Sequence, residues 1–322
     1  MNFFWILIAL FLAPVAISYL IEVFRRAPVA PDKLNWDPTI PICYVEVDGV
    51  KLRYIKTGEG PALVLLHTLR TQLDIFQKVI PALSREFTVY ALDFPGHGFS
   101  DIPRTEYKPE VFYRAVTGFL EELDIKDAVV AGISIGGTVA LVLAARKNPR
   151  IKRAIAINPY DYGAGHGVER SSAVARVVLG LSHIPVIGPT VMRMRNPLVE
   201  RKIMEGGVAD PASLPKSLLD EMYAVGCRPG HYQAFISLIR NSSSEWDRAR
   251  DEYGTIGIPV FLIYGDQDWS MLAERQDNLK TIPGAQMEIV VNGGHFLSLD
   301  RPEEVVRLIL RFGKDQESSS WG

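Results

Sequence analysis

Apolar positions in this 322-residue chain fall into short unbroken runs, and stretches of helical period separate them. Ala62–His67, Ala128–Gly132, Arg153–Asn158 and Val260–Tyr264 contain ALVLL, AVVAG, AIAI and VFLIY, with no polar face. Continuous runs of that length suit strands covered on both sides by helices. Further strand candidates lie at Cys43–Val47, Lys51–Lys56, Thr88–Leu92 and Met287–Val291. Helical periodicity occupies Asp74–Glu86, Pro109–Leu123, Ser134–Lys147, Met271–Leu279 and Pro302–Phe312. The alternation predicts an α/β fold, a mostly parallel eight-stranded sheet with helices on both faces.

Two intervals break the rhythm. Between Asn158 and Val260 no buried strand is predicted, and Ser171–Leu181, Thr190–Met204, Ser217–Val225 and Tyr232–Asn241 read as helices. A connection that long needs structure of its own, so residues 164–250 are expected to form a helical cap inserted into a core of 42–163 and 251–313. The other interval is the N-terminus, where Asn2 to Leu20 holds no charged side chain and only Glu22 interrupts the run to Phe24. Such a run is long enough for a helix to cross roughly 30 Å of hydrocarbon, and Pro14 would kink it without forbidding it. The expected layout is a transmembrane anchor over 1–26 and a proline-rich linker over 27–41, with a disordered tail over 314–322.

A signal peptide is the competing reading of the N-terminus. No basic residue precedes the apolar run, the run exceeds a usual signal core, and Ala27-Pro-Val-Ala30 leaves cleavage and export open. Arg25, Arg26 and Lys33 follow the run, which favours an uncleaved anchor with the following domain in the cytoplasm. Within the cap, Arg193, Arg195, Arg201 and Lys202 follow an apolar segment. They are read either as solvated side chains or as a face resting on anionic lipid.

Composition narrows the chemistry. Apolar residues at 48% and charged residues at 22% describe a folded chain, and a net charge of −2 gives no reason to expect nucleic acid. Cys43 and Cys227 stand too far apart to suggest a metal or redox motif. No metal and no cofactor is expected.

Gly132-Ile-Ser-Ile-Gly-Gly137 sits between a predicted strand and a predicted helix. Glycines two positions before and after Ser134 allow a turn too tight for a Cβ, lifting the hydroxyl above the sheet beside a helix N-terminus. A serine needs a base, and the base an orienting acid. His67 ends an early strand, His97 sits in a glycine turn, and His166, His183 and His231 fall in the cap interval. His295 follows the last strand in Asn292-Gly-Gly-His and is the candidate base. Tyr264-Gly-Asp-Gln-Asp-Trp269 offers Asp266 and Asp268 at the end of the preceding strand. Asp268, farther along the loop, is preferred as the acid; Asp266 would support the turn, and Asp161 is the outside contender.

The chain resembles the α/β-hydrolase fold family on four separated motifs: Leu66-His67, Asp93-Phe-Pro-Gly-His-Gly98, the Ser134 turn, and the Gly265-x-x-Asp268 and Gly-His295 strand endings. The likeness spans about residues 42–313. It implies catalysis by Ser134, Asp268 and His295 in that chain order. It also implies an oxyanion hole made by the backbone N–H groups of Ile135 and Leu69. One departure stands out: the usual His-Gly is His67-Thr68 here, which bears on pocket size.

A serine at the turn disfavours aspartate-nucleophile dehalogenases and epoxide hydrolases. An ester hydrolase is left as the broadest reading, and the expected anchor, which would hold the enzyme among lipophilic molecules, points to an esterase or lipase-like enzyme acting on a lipophilic carboxylic ester. In layout the chain is similar to membrane-anchored monoacylglycerol-lipase-like hydrolases. The expected partners are that small substrate and a membrane reached through the N-terminal helix. Two alternatives remain: a carbon–carbon bond hydrolase of the meta-cleavage-product type, and a non-catalytic ligand-binding protein of the same fold.

Overall fold

The computed structural model describes residues 3–162, 167–246 and 248–314. Eight strands form one sheet in the order β1-β2-β4-β3-β5-β6-β7-β8. They are β1 (Ile42–Val47), β2 (Val50–Thr57), β3 (Ala62–Leu66), β4 (Thr88–Leu92), β5 (Ala128–Ile133), β6 (Ile151–Ile157), β7 (Val260–Gly265) and β8 (Gln286–Val290). The helices are α1 (Phe3–Val23), α2 (Ile80–Leu83), α3 (Pro109–Glu122), α4 (Ile135–Ala145), α5 (Ala173–Ser182), α6 (Ile187–Arg193) and α7 (Pro197–Glu205). They continue with α8 (Lys216–Gly226), α9 (His231–Glu245), α10 (Ala249–Glu252), α11 (Leu272–Thr281), α12 (Leu297–Asp300) and α13 (Pro302–Gly313).

The sheet is mixed, which corrects the mostly parallel expectation. β2 pairs antiparallel with both β1 and β4, while β3 to β8 pair in parallel. The cause is local. Asp48 and Gly49 join β1 to β2 with φ of 50° and 76°, a two-residue turn with both centres left-handed, which reverses the chain directly.

Alternation along each strand divides the core. Val64, Leu66, Val130 and Ala154 pack into one cluster, and Leu63, Leu65, Val129 and Ile155 into another, so both faces are covered. β5 and α4 are buried throughout, as an all-apolar strand and helix at the centre of such a fold must be. α13 shows the opposite case of a helix buried on one face only. Val305, Leu308, Ile309 and Phe312 are buried at helical spacing, with Glu303 and Glu304 in its first turn and Arg311 in its last.

No β-strand is assigned among the described residues between β6 and β7; helices α5 to α10 fill this interval. Ala175, Leu179, Met192, Phe235, Ile236 and Ile239 form a small core of their own there. Gly163 to His166, where the cap was expected to begin, lie outside the described residues, as does the tail from residue 315.

The N-terminal segment departs most from expectation. Among the described residues, no helix is long and apolar enough to cross a membrane. α1 is tied to the cap by polar groups over its last turns. Arg193 Nε donates to Ser18 Oγ at 3.0 Å and its guanidinium lies 3.8 Å from the Tyr19 ring centre. Arg195 donates to Glu22 at 2.8 Å, and Arg25 to the Arg193 carbonyl at 2.7 Å. The same contacts bury Arg193 and Arg195, which takes those two out of any lipid-facing surface, while Arg201 and Lys202 are exposed and pair with Glu205.

Candidate active site

Ser134 stands between β5 and α4 with φ 55° and ψ −120°. That is a strained backbone for a residue with a side chain, and its glycine neighbours explain how it is reached. A Cβ on Gly132 would lie 2.2 Å from the Gly136 backbone, and one on Gly136 would lie 2.2 Å from the Leu66 carbonyl. The N–H of Ile135, as the first residue of α4, has no carbonyl a helical turn earlier to bond. Leu69 lies in the loop after β3, and Leu69 and Ser134 line the same cavity.

At the ends of β7 and β8, His295 Nδ1 meets Asp268 Oδ1 at 2.6 Å, with both side chains wholly buried. The Asp268 loop is itself braced. Its other oxygen, Oδ2, accepts from the Ser270 N–H at 2.9 Å and from the Ser270 hydroxyl. Arg275 donates to Ser270 Oγ at 2.9 Å and to the Ser270 carbonyl at 2.9 Å. Burial opposes ionisation of Asp268. The charge and hydrogen bond of His295, with the Ser270 bonds, outweigh it and hold the carboxyl below its ordinary range. An ionised Asp268 accepts a hydrogen bond from Nδ1–H and so keeps the proton on Nδ1, which leaves Nε2 as the basic nitrogen. Nε2 is buried with no hydrogen-bond partner among the described residues, and Trp269 stacks on the ring at 3.7 Å.

Asp266 lies apart from His295 and accepts from the Gly293 N–H at 3.1 Å, pinning the turn. Asp161 also faces elsewhere, accepting from Tyr253 at 2.9 Å and from Asn278 at 3.0 Å. His67 accepts the Phe94 N–H on Nε2 at 2.9 Å and donates from Nδ1 to the Thr68 carbonyl at 2.7 Å. Burial pushes it down to about 3, so it is a neutral strut of the loop that carries Leu69. His166 lies outside the described residues.

Sequence reasoning passed over Asn158. At the end of β6, with φ 45°, its Nδ2 donates to the carbonyls of Gly294 at 3.0 Å and His295 at 2.9 Å. Its Oδ1 accepts from the Gly265 N–H at 2.9 Å. One amide thus joins three strand ends and fixes the loops bearing Asp268 and His295. Its place after an apolar strand was the available signal, since asparagine tolerates a left-handed backbone.

The cavity above Ser134 measures about 220 Å³. Its walls are almost wholly apolar, with Leu179, Met192, Met204, Met222, Phe235 and Phe296 among them. Thr68, where a glycine was the usual residue, lines it too. No group of acidic, histidine and cysteine side chains fit to hold a metal occurs among the described residues. The arrangement offers a hydroxyl on a strained turn at the cavity wall, a histidine oriented by a carboxylate, and a greasy cavity to receive a chain.

A family model for the alpha/beta hydrolase fold matches residues 61–302. An uncharacterized protein of Mycobacterium tuberculosis is 28% identical over 291 residues, covering 85% of this chain and 82% of its own. Carboxylesterase YbfK of Bacillus subtilis is 26% identical over 288 residues, 84% of this chain and 86% of its own. Among solved structures, Cfl2 from Burkholderia cenocepacia superposes with a TM-score of 0.78 at 20% identity, over 89% of this chain and 100% of that one.

Proposed function

Because the chain belongs to the α/β-hydrolase fold family, we propose that it is a serine hydrolase of lipophilic carboxylic esters, acting through Ser134, His295 and Asp268. The observation that carries this reading is the buried His295–Asp268 bond, which leaves Nε2 unpaired, while Ser134 and the Trp269 that stacks on the His295 ring line one largely apolar cavity. Likeness to a carboxylesterase supports the ester over other acyl compounds.

The chemistry follows from the roles. Ser134 Oγ bonds to the ester carbon while its proton passes to His295 Nε2. Charge gathers on the carbonyl oxygen, where the N–H groups of Ile135 and Leu69 receive it. As the carbon–alkoxide bond breaks, His295 returns the proton to the leaving alcohol. Water then attacks the acyl-serine, giving one proton to Nε2 and releasing the acid as that proton returns to Oγ. Asp268 keeps Nδ1 protonated and balances the imidazolium at each transfer.

A fluorophosphonate probe is expected to label the wild type and not Ser134→Ala. p-Nitrophenyl esters of increasing acyl length are expected to turn over faster until the chain fills the cavity. Absence of labelling in both proteins would make this a binding protein of the same fold. Labelling with turnover of a vinylogous diketone acid, and of no ester, would replace the reading with carbon–carbon hydrolysis.

Exposed apolar side chains on α1, Leu10, Phe11, Leu12 and Leu20 among them, support a companion proposal. The helix rests on a lipid surface without crossing it. Flotation with liposomes in high salt is the expected result, and a protein left wholly in the soluble fraction overturns it.

A further inference from the structure

The cavity over Ser134 contains an internal irregularity. Arg70, next to Leu69 in the loop after β3, and Glu200, in the first turn of α7, both line it. They form an ion pair, Arg70 Nη2 donating to Glu200 Oε2 at 3.3 Å, with the Arg70 guanidinium 4.9 Å from the Phe235 ring centre. Glu200 is only 5% exposed. One atom on each side is left over: Arg70 Nε and Glu200 Oε1 are buried and have no hydrogen-bond partner among the described residues. Buried polar atoms are rarely left so; both are closed to a molecule the size of water, so a ligand group in the cavity reaches them through a small shift of either side chain.

The charge balance limits the ligand. Arg70 is offset by Glu200, and Arg195, another cavity-lining cation, spends its donors on Glu22, which Arg25 shares, and on the Gly226 and Met192 carbonyls. A charged ligand group here would enter an apolar space with no free counter-charge, which is unfavourable. The unused atoms are one N–H donor and one carboxylate acceptor. A hydroxyl is the small neutral group that accepts from the first and donates to the second.

We propose that Arg70 and Glu200 form a hydroxyl-recognition subsite, selecting esters whose apolar chain carries a neutral alcohol group. This deepens the ester-hydrolase reading and rests on it. Arg70 sits one residue beyond the Leu69 N–H assigned to the oxyanion, so the subsite lies on the loop that also serves the reacting carbonyl. The cap supplies Glu200, so selection requires both the core and the cap.

The test compares p-nitrophenyl octanoate with its monohydroxylated positional isomers, and octyl acetate with hydroxyoctyl acetates, which separates a hydroxyl on the acyl side from one on the alcohol side. At least one isomer is expected to exceed its plain parent about tenfold in kcat/KM, since unpaired site groups penalise a substrate lacking the hydroxyl. Glu200→Gln is expected to bring that ratio near one. It also leaves Arg70 uncompensated, so the ratio for the p-nitrophenyl monoester of octanedioic acid over the plain octanoate is expected to rise. Arg70→Lys, which removes Nε–H and keeps the charge, is expected to lower the hydroxyl ratio as well. Plain esters turned over as fast as every hydroxylated isomer would overturn the subsite and leave the ester reading standing, with a water in the hydroxyl's place. Should no ester react, both fall, and fluorophosphonate labelling shows whether the serine itself is at fault.

Discussion

Two buried aspartates stand at the ends of neighbouring strands, and their surroundings drive them in opposite directions. Asp268, after β7, faces His295 and the Ser270 pair, and lies below the ordinary carboxylate range despite its burial. Asp161, after β6, is equally buried, and its carboxylate accepts from the neutral donors of Asn278 and Tyr253; burial lifts it to about 6. Neutral hydrogen bonds soften desolvation, whereas a partner that can carry positive charge reverses it. The first arrangement suits a carboxylate that must balance an imidazolium. The second suits a packed corner.

The sharpest way to break that contrast is to neutralise each aspartate. Asp268→Asn is expected to lower kcat/KM for a p-nitrophenyl ester by roughly 10⁴-fold, because the amide no longer enforces the useful tautomer. Asp161→Asn should stay within about tenfold of wild type. Equal losses from both would erase the division of roles.

A smaller effect separates them in stability. Asp161 titrates near 6 in the folded protein and near 3.8 when unfolded. Between those values the folded state holds the proton more tightly, so this residue's contribution falls as pH rises through the window, by on the order of 3 kcal/mol. His67 and His97 act the other way. Burial holds both near 3 in the folded state, so they destabilise the fold as pH drops from about 6.5. Urea denaturation of wild type and Asp161→Asn at pH 4.5 and pH 7 isolates the aspartate: the mutant should gain relative to wild type at the higher pH. A constant difference would contradict the raised value.

The smallest change tests what joins the two corners. Asn158, three residues before Asp161, reaches across to the loops of Asp268 and His295. Asn158→Asp keeps the acceptor for Gly265 and loses the donors to the histidine loop. Its kcat is expected to fall about tenfold with KM little changed, and stability by about 2 kcal/mol. A shift in KM alone would argue against a positioning role.

Much of this was legible in the chain. Ser134 could be placed because its glycines serve a backbone collision that any sequence making that turn must avoid, and the pairing of Asp268 with His295 followed from strand ends that lie side by side. Other features depended on contacts between distant segments. Nothing local tells that Arg193 and Arg195 are covered by α1, or that Arg70 meets Glu200 130 residues away. The direction of β1 and β2 is a different case, for Asp48-Gly49 between two alternating runs is a strong hairpin signal. Apolar content alone did not register it, because runs of that kind identify strands without giving their sense.

The fastening of α1 to the cap carries one more consequence. Glu22 is the counter-ion of Arg195, and Arg195 lines the cavity. A protein shortened to begin after this helix would therefore be a different reagent, with an unbalanced cation in the chamber wall and a bared Arg193 behind it. The apolar N-terminal helix, which looks detachable, supplies the counter-charge for a residue of the cavity wall.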